Sequence, residues 1–369
     1  MRFSIHSEKI SKITRKVFAT LATVFVAATG SAAFAAESTM PPSYPELMKP
    51  EVARLYTYSE NTDFASASPL PTYQWMPSSG HIKAIIFGVH GLTLHGRRYR
   101  VLARTMAVND IAFVAADMRG FGSCKFEDNG KEKPKGELTS VDHEKSYQDL
   151  AKIARAIKVK YPNIPLIVLG ESLGCTFCVR LAGEMPDIIN GVVLSAPAVR
   201  VNPKMYASAH DIEAGLKALI GNHHLVDLHN FFTDLVSPRP EVVKEMEDDP
   251  FIVKALSFHD LISTDLFVDK TVEWAKTTAA NLPLLVIQGS NDSCVLAKHL
   301  TDLMLHMKSN DMRISWKGTY GHLQLETMFL RSNVLDSLVM WLSDHSVDSR
   351  AKLEKMEQNI ADLGGTMVR

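Results

Sequence analysis

The chain has 369 residues, 46% of them hydrophobic, and a formal net charge of −1. That length and apolar content allow a large buried core and exclude a disordered chain. The near-neutral balance carries no electrostatic footprint for nucleic acid, so none is expected as a partner.

The chain opens with Arg2, Lys9, Lys12, Arg15 and Lys16, followed by the apolar stretch VFATLATVFVAATGSAAFAA and an A-x-A site at Ala33-Phe34-Ala35. This is the layout of a secretory signal peptide cleaved near Ala35, which implies an exported protein, periplasmic or secreted. An uncleaved N-terminal membrane anchor is the alternative, because the run approaches a bilayer-spanning length. Removing residues 1–35 takes away five basic residues and one acidic residue, leaving a mildly acidic chain. Residues 36–70, rich in Pro, Ser and Thr, are expected to wrap the surface.

From Tyr73 onward apolar runs alternate with helical spacing, the pattern of a mostly parallel sheet with helices on both faces. Strands are expected at 84–89, 111–116, 165–169, 191–195 and 283–287, with a short one over 313–316. The polar, Gly/Pro-punctuated segment 125–140 reads as a surface loop. Leu150, Ile153, Ala154, Ile157 and Tyr161 fall on one helical face. Residues 199–279 are too many for a simple crossover. They carry helical patches such as Ile212, Leu216, Leu219 and Ile220 and large side chains such as Phe232, Leu256 and Phe267, which indicates an inserted helical cap. The expected layout is a signal peptide (1–35), a first core segment (36–198), the cap (199–279), a second core segment (280–345) and a C-terminal amphipathic helix (346–369). Cys124 and Cys294 follow separate strands, and Cys175 and Cys178 share a helix; all four are expected as free thiols.

Between the strand ending at Leu169 and a helix bounded by Pro186 lies Gly170-Glu171-Ser172-Leu173-Gly174. In a G-x-S-x-G pattern at such a junction, the two glycines let the chain turn sharply and present the serine at its tip. A serine hydroxyl is a weak nucleophile at neutral pH and needs a histidine base oriented by a carboxylate. Asp292 follows the strand ending at Ile287, and His322 comes 30 residues later, again after a strand; both positions and the order Ser, acid, His suit an α/β-hydrolase sheet. Ser172, Asp292 and His322 are the candidate catalytic residues. An oxyanion hole would use the backbone N–H groups of Leu173 and of Leu92, the latter on the loop opened by His90-Gly91. Gly170, Gly174, His90 and Gly91 are supporting residues, with His90 bracing the loop rather than acting as a base.

These motifs resemble the monoacylglycerol lipase and lysophospholipase branch of the α/β-hydrolases. HGLTLHGRRY (90–99) is similar to that branch's HGxGEHxxRY-like loop, and the likeness continues through DMRGFGS (117–123), GESLG (170–174), LSAP (194–197), GSND (289–292) and GHLQLE (321–326). The resemblance implies an α/β-hydrolase fold with a helical cap and hydrolysis of carboxylic esters of lipid-like alcohols through an acyl-enzyme on Ser172. The expected partner is a small acyl ester or lipid, with transient contact at a lipid surface. Two positions depart from the pattern: Thr93 stands where the branch has glycine and Leu94 where it has glutamate, which leaves Arg98 without its expected acidic partner.

No cofactor is expected. His223, His224 and His229 lack zinc-like spacing, and no phosphate-cradling glycine loop is present. A serine aminopeptidase would need acidic groups in the cap to hold a free amine; Glu245, Glu247, Asp248 and Asp249 are candidates, although such a cluster reads first as a solvated surface. An acyltransferase shares the same acyl-enzyme, and a non-catalytic binding module would not require Ser, Asp and His together.

Overall fold

The computed structural model describes residues 53–61, 63–200 and 225–349. The signal segment 1–35, the helical patch from Ile212 to Ile220, His223, His224 and residues 350–369 of the C-terminal helix lie outside the described residues.

In chain order the elements are β1 (Tyr56–Glu60), β2 (Thr72–Pro77), β3 (Ala84–Val89), α1 (Arg100–Val108), β4 (Ile111–Ala116), α2 (His143–Lys160), β5 (Leu166–Glu171), α3 (Leu173–Glu184) and β6 (Gly191–Ser195). Then come β7 (Leu225–Asp227), α4 (Pro240–Asp248), β8 (Ala255–Ser257), α5 (Phe258–Val268), β9 (Leu284–Gly289), α6 (Leu300–His306), β10 (Met312–Lys317) and α7 (Ser332–Asp344). Among the described residues the main sheet runs in the order β1-β2-β4-β3-β5-β6-β9-β10. Its strands from β4 to β10 are parallel, and β2 joins β4 antiparallel. The segment read as a surface wrap contains a strand: β1 pairs antiparallel with β2 from Tyr56↔Pro77 to Glu60↔Tyr73. In its YTYSE only Tyr56 and Ser59 are partly buried and Thr57, Tyr58 and Glu60 are exposed, so the two-residue period of a half-buried strand is missing at this sheet edge.

The central strands are continuous apolar runs because both of their faces are covered. Alternation still divides them. Ile85, Phe87 and Val89 face a layer with Leu150, Ile153 and Ile157 of α2 and Phe177 and Leu181 of α3. Ala84 and Ile86 face the opposite layer, with Leu102 and Met106 of α1 and Leu338 and Trp341 of α7. Asp142 fixes the start of α2 by accepting the Lys145 N–H, so the apolar stripe of α2 begins in register with the sheet. Phe232, Leu256 and Phe267, from the segment 225–279, join the first of these layers, so these large side chains are spent on packing.

No helix among the described residues is long and apolar enough to cross a membrane. On the second face, Trp341 is 1% exposed and its ring lies so close to Gly191 of β6 that an added Cβ there would stand 2.9 Å from it. Trp341→Ala is expected to lower stability by about 3–5 kcal/mol. A urea unfolding midpoint equal to that of the wild type would show that α7 does not depend on this contact.

Candidate active site

Ser172 occupies the single residue between β5 and α3, with φ 55° and ψ −119°. Such a backbone is strained for a residue with a Cβ and persists only where its surroundings fix it. They do so here: the Ser172 N–H donates to the Ser195 carbonyl at 2.9 Å, and its own carbonyl accepts from the N–H groups of Cys175 (3.0 Å) and Ala198 (3.2 Å). A Cβ on Gly170 would stand 2.4 Å from the carbonyl carbon of Gly174, and one on Gly174 would stand 1.9 Å from the carbonyl oxygen of Val89. Both glycines are thus required by close approach of backbone to backbone.

Asp292 lies on the loop after β9. Its Oδ1 accepts the N–H groups of Cys294 and Val295, each at 3.0 Å. Its Oδ2 accepts from His322 Nδ1–H at 2.8 Å and from the Gln288 amide at 3.2 Å. Facing a carboxylate, Nδ1 carries the ring proton and Nε2 keeps its lone pair. Burial disfavours the imidazolium, but the Asp292 carboxylate and, behind it, Glu171 outweigh that and raise the His322 pKa above its ordinary value. Asp292 and His322 are therefore brought together directly. Ser172 is linked to them through Glu171, its chain neighbour, which accepts backbone N–H groups of the loop after His322. No hydrogen bond joins the Ser172 hydroxyl to His322 among the described contacts.

The Asp292, Cys294 and His322 side chains also place donor atoms within 4.8 Å of one another, a spacing compatible with a metal ion. Burial pushes the Cys294 thiol up, so it is a protonated neighbour of the pair rather than a thiolate ligand. His229, the described member of the histidine trio, pairs with Glu247 at 3.3 Å.

On the loop after β3, both ring nitrogens of His90 are engaged. His90 Nδ1–H donates to the Gly91 carbonyl (2.8 Å), its Nε2 accepts the Met118 N–H (2.9 Å), and burial pushes its pKa down to about 4. A neutral imidazole with both nitrogens engaged is a strut. The Gly91 N–H donates to the Glu326 carboxyl at 2.9 Å. Leu92 is half-buried on this loop, and Leu173 opens α3, where a helix leaves its first N–H groups without intrahelical partners. Thr93, in the position of the branch's glycine, holds φ 71°, and its carbonyl accepts the Val253 N–H at 3.0 Å.

Arg98 does have acidic partners, and they come from the inserted segment. Its Nη1 stands 3.1 Å from Glu245 and 3.4 Å from Asp249, and its Nε donates to the Glu326 carbonyl at 3.1 Å. His95 Nε2 pairs with the same Asp249 oxygen at 3.0 Å. Burial opposes the Asp249 charge, but the His95 hydrogen bond and the adjoining cations hold its carboxyl well below the usual range. Glu245 also accepts the Thr327 hydroxyl (2.6 Å) and the Met328 N–H (3.0 Å). The expectation of a solvated acidic cluster is thus corrected: the Glu245 and Asp249 side chains are 6% and 11% exposed and fully engaged, while Asp248 is 63% exposed. The His322 loop receives a further tie from this segment, since the N–H groups of His322 and Leu323 both donate to the Val236 carbonyl at 3.0 and 3.2 Å. Glu171 and Glu326 were hidden inside quoted motifs, GESLG and GHLQLE, as residues without an assigned role. Their signal was an acidic residue in an otherwise apolar, buried setting.

The family model described as "Serine aminopeptidase, S33" matches residues 80–326. The monoglyceride lipase of Mus musculus is 26% identical over 274 residues, 73% of this chain and 85% of its own length. The monoglyceride lipase of Homo sapiens is 27% identical over 277 residues, 74% of this chain and 86% of its own. Among solved structures, a soluble variant of the Saccharomyces cerevisiae monoglyceride lipase, in complex with a substrate analogue, superposes with a TM-score of 0.63 at 18% identity, covering 75% of this chain and 92% of that one.

Arg98→Met would remove the buried cation shared by Glu245 and Asp249, leaving only Arg100 at 3.8 Å from Glu245 and His95 at 3.0 Å from Asp249, at an expected loss of about 3–5 kcal/mol. Arg98→Lys should recover only part of it, because a single ammonium cannot reach both carboxylates and the Glu326 carbonyl in one plane. Thermal unfolding of both variants checks this; a melting temperature for Arg98→Met within a degree of the wild type would contradict the network's weight.

Proposed function

Because the chain belongs to the serine aminopeptidase S33 family of α/β-hydrolases and is a lipase-like ester hydrolase of its monoacylglycerol lipase branch, we propose that it cleaves monoacylglycerols or lysolipids through an acyl-enzyme on Ser172. The observation that carries the proposal is the buried 2.8 Å pair of His322 and Asp292 placed on the loops that follow β10 and β9, together with the strained turn at Ser172. In this reading His322 Nε2 takes the Ser172 proton as Oγ attacks the ester carbon. The N–H groups of Leu92 and Leu173 receive the negative charge that develops on the carbonyl oxygen. His322 then returns the proton to the departing alcohol, and a water molecule activated by the same ring releases the acid. Asp292 holds the Nδ1 tautomer and stabilises the imidazolium that forms between these steps.

Substrate class is supported by the names of the relatives rather than by the cap's apolar residues, several of which are committed to the core. An aminopeptidase reading loses its better candidates for amine recognition, since Glu245 and Asp249 already answer Arg98 and His95. With residues 1–35 read as a signal peptide, the reaction takes place outside the cytoplasm. N-terminal sequencing of the exported protein is expected to begin at Ala36.

The substrate proposal is tested with a series of monoacylglycerols and short acetyl esters. Decanoyl glycerol should be turned over faster than acetyl esters, and Ser172→Ala should lower kcat/KM by about 10³-fold or more. A strong preference for acetyl esters would contradict the lipid assignment. Because the pKa of His322 is raised, kcat/KM should increase with pH through a single ionisation above the ordinary histidine value of about 6.5, as the ring loses its proton. An acidic limb lying below that value would contradict the role given to Asp292.

A further inference from the structure

We infer that Glu171 is a positioning residue for this reaction, a buried anion that sets His322 against Ser172 by holding the loop that follows the histidine. The inference rests on the reading of Ser172 and His322 given above.

The side chain of Glu171 is fully buried. Its Oε1 accepts the Ser195 hydroxyl at 2.6 Å and the N–H groups of Gln324 and Leu325 at 2.8 and 3.0 Å. Its Oε2 accepts the Glu326 N–H at 2.9 Å. The N–H groups of three successive residues therefore converge on one carboxyl group, an arrangement that suits an anion. The three backbone N–H groups can only donate, so a proton on an oxygen that accepts them would have to displace one, whereas the Ser195 hydroxyl can turn to accept.

A second carboxyl group lies in the same buried region. Glu326 meets a single backbone donor, the Gly91 N–H. Burial and the nearby Glu171 charge push its pKa well above the ordinary value. Two carboxylates cannot both ionise cheaply in one dry site, so the donors decide which does. Burial pushes the Glu171 pKa up as well, but the Ser195 hydroxyl and the backbone N–H groups of Glu326 and Gln324 oppose that shift, so the charge is assigned to Glu171, which meets more donors, and the proton to Glu326.

The consequence is geometric first. Glu171 precedes Ser172 in the chain, and its side chain grips residues two to four positions after His322. Elbow and histidine loop thus move as one body, to which Glu326 adds the loop of Gly91. The second consequence is electrostatic. Three groups face the His322 ring: Asp292 from the loop after β9, Glu171 from the end of β5, and the protonated Cys294 thiol beside Asp292. Glu171 is the one anion among them that makes no hydrogen bond to the ring, so its charge can be removed without breaking the Asp292 pair.

Glu171→Gln in the full-length protein tests this. It puts an NH2 group where a carboxylate oxygen accepted N–H groups, and it removes the charge. The expected result is a fall in kcat/KM for decanoyl glycerol on the order of 10- to 100-fold, carried by kcat rather than KM. The acidic limb of the pH profile should also move to lower pH, because the imidazolium loses an anionic neighbour. A purely structural role would lower the melting temperature and the active fraction while leaving that limb in place, and such a result would overturn the inference. If Glu171→Gln does not fold, Glu171→Asp keeps the charge but shortens the reach; kcat should fall with the acidic limb retained, and wild-type kcat would overturn the inference. Ser172→Ala measured alongside separates the two readings. If Ser172→Ala keeps wild-type turnover, the assignment of the site fails; if it abolishes turnover while Glu171→Gln matches the wild type, only the role of Glu171 falls.

Discussion

The backbone of Gly174 approaches the Val89 carbonyl so closely that a single added carbon would lie 1.9 Å from its oxygen. Everything in the candidate site depends on that contact. It brings the first turn of α3 against the end of β3, so that the loop opened by His90 and Gly91 and the turn that carries Ser172 share one edge of the sheet. Parallel neighbours β3, β5, β6 and β9 then deliver their C-terminal ends side by side. The strained Ser172 backbone is a local penalty that the sheet and the bonds to Ser195 and Ala198 can sustain.

Two groups of buried charges lie around this edge. Asp292 and Glu171 serve the histidine, one bonded to its ring and one to the loop behind it. Arg98, His95, Glu245 and Asp249 join the loop after β3 to the inserted segment. The stretch from His322 to Met328 lies between the groups and is held from both sides, by Glu171 in the core and by Val236 and Glu245 in the insertion. Any movement of the segment 232–249 away from the core would therefore pull on the loop of His322. Fixing His322 in this way favours precise orientation over mobility at that point of the fold.

Much of this was legible from sequence. The strands of the sheet centre announced themselves because burial on both faces leaves only apolar residues, as in Ala84-Ile85-Ile86-Phe87-Gly88-Val89. The pairing of Asp292 with His322 and the place of Ser172 in the turn between β5 and α3 were legible because strand ends, turn residues and chain order combine in few other ways. β1 was not, since an edge strand with exposed Thr57, Tyr58 and Glu60 lacks a strong period. The partners of Arg98 were not legible either. Leu94 removes the local acid, and the replacements lie some 150 residues away on a helix whose register against the core depends on tertiary packing. Glu171 and Glu326 were visible as letters, but their roles follow from which donors surround each carboxyl group, which no spacing rule conveys.

The central claim is that Ser172 is an activated nucleophile. A fluorophosphonate reacts covalently with such a serine and leaves a phosphonyl adduct, so peptide mass mapping of the treated protein tests the claim directly. One adduct is expected, on Ser172, absent from Ser172→Ala and strongly reduced in His322→Ala. An adduct on another residue, or none on Ser172 in folded protein that hydrolyses esters, would contradict it.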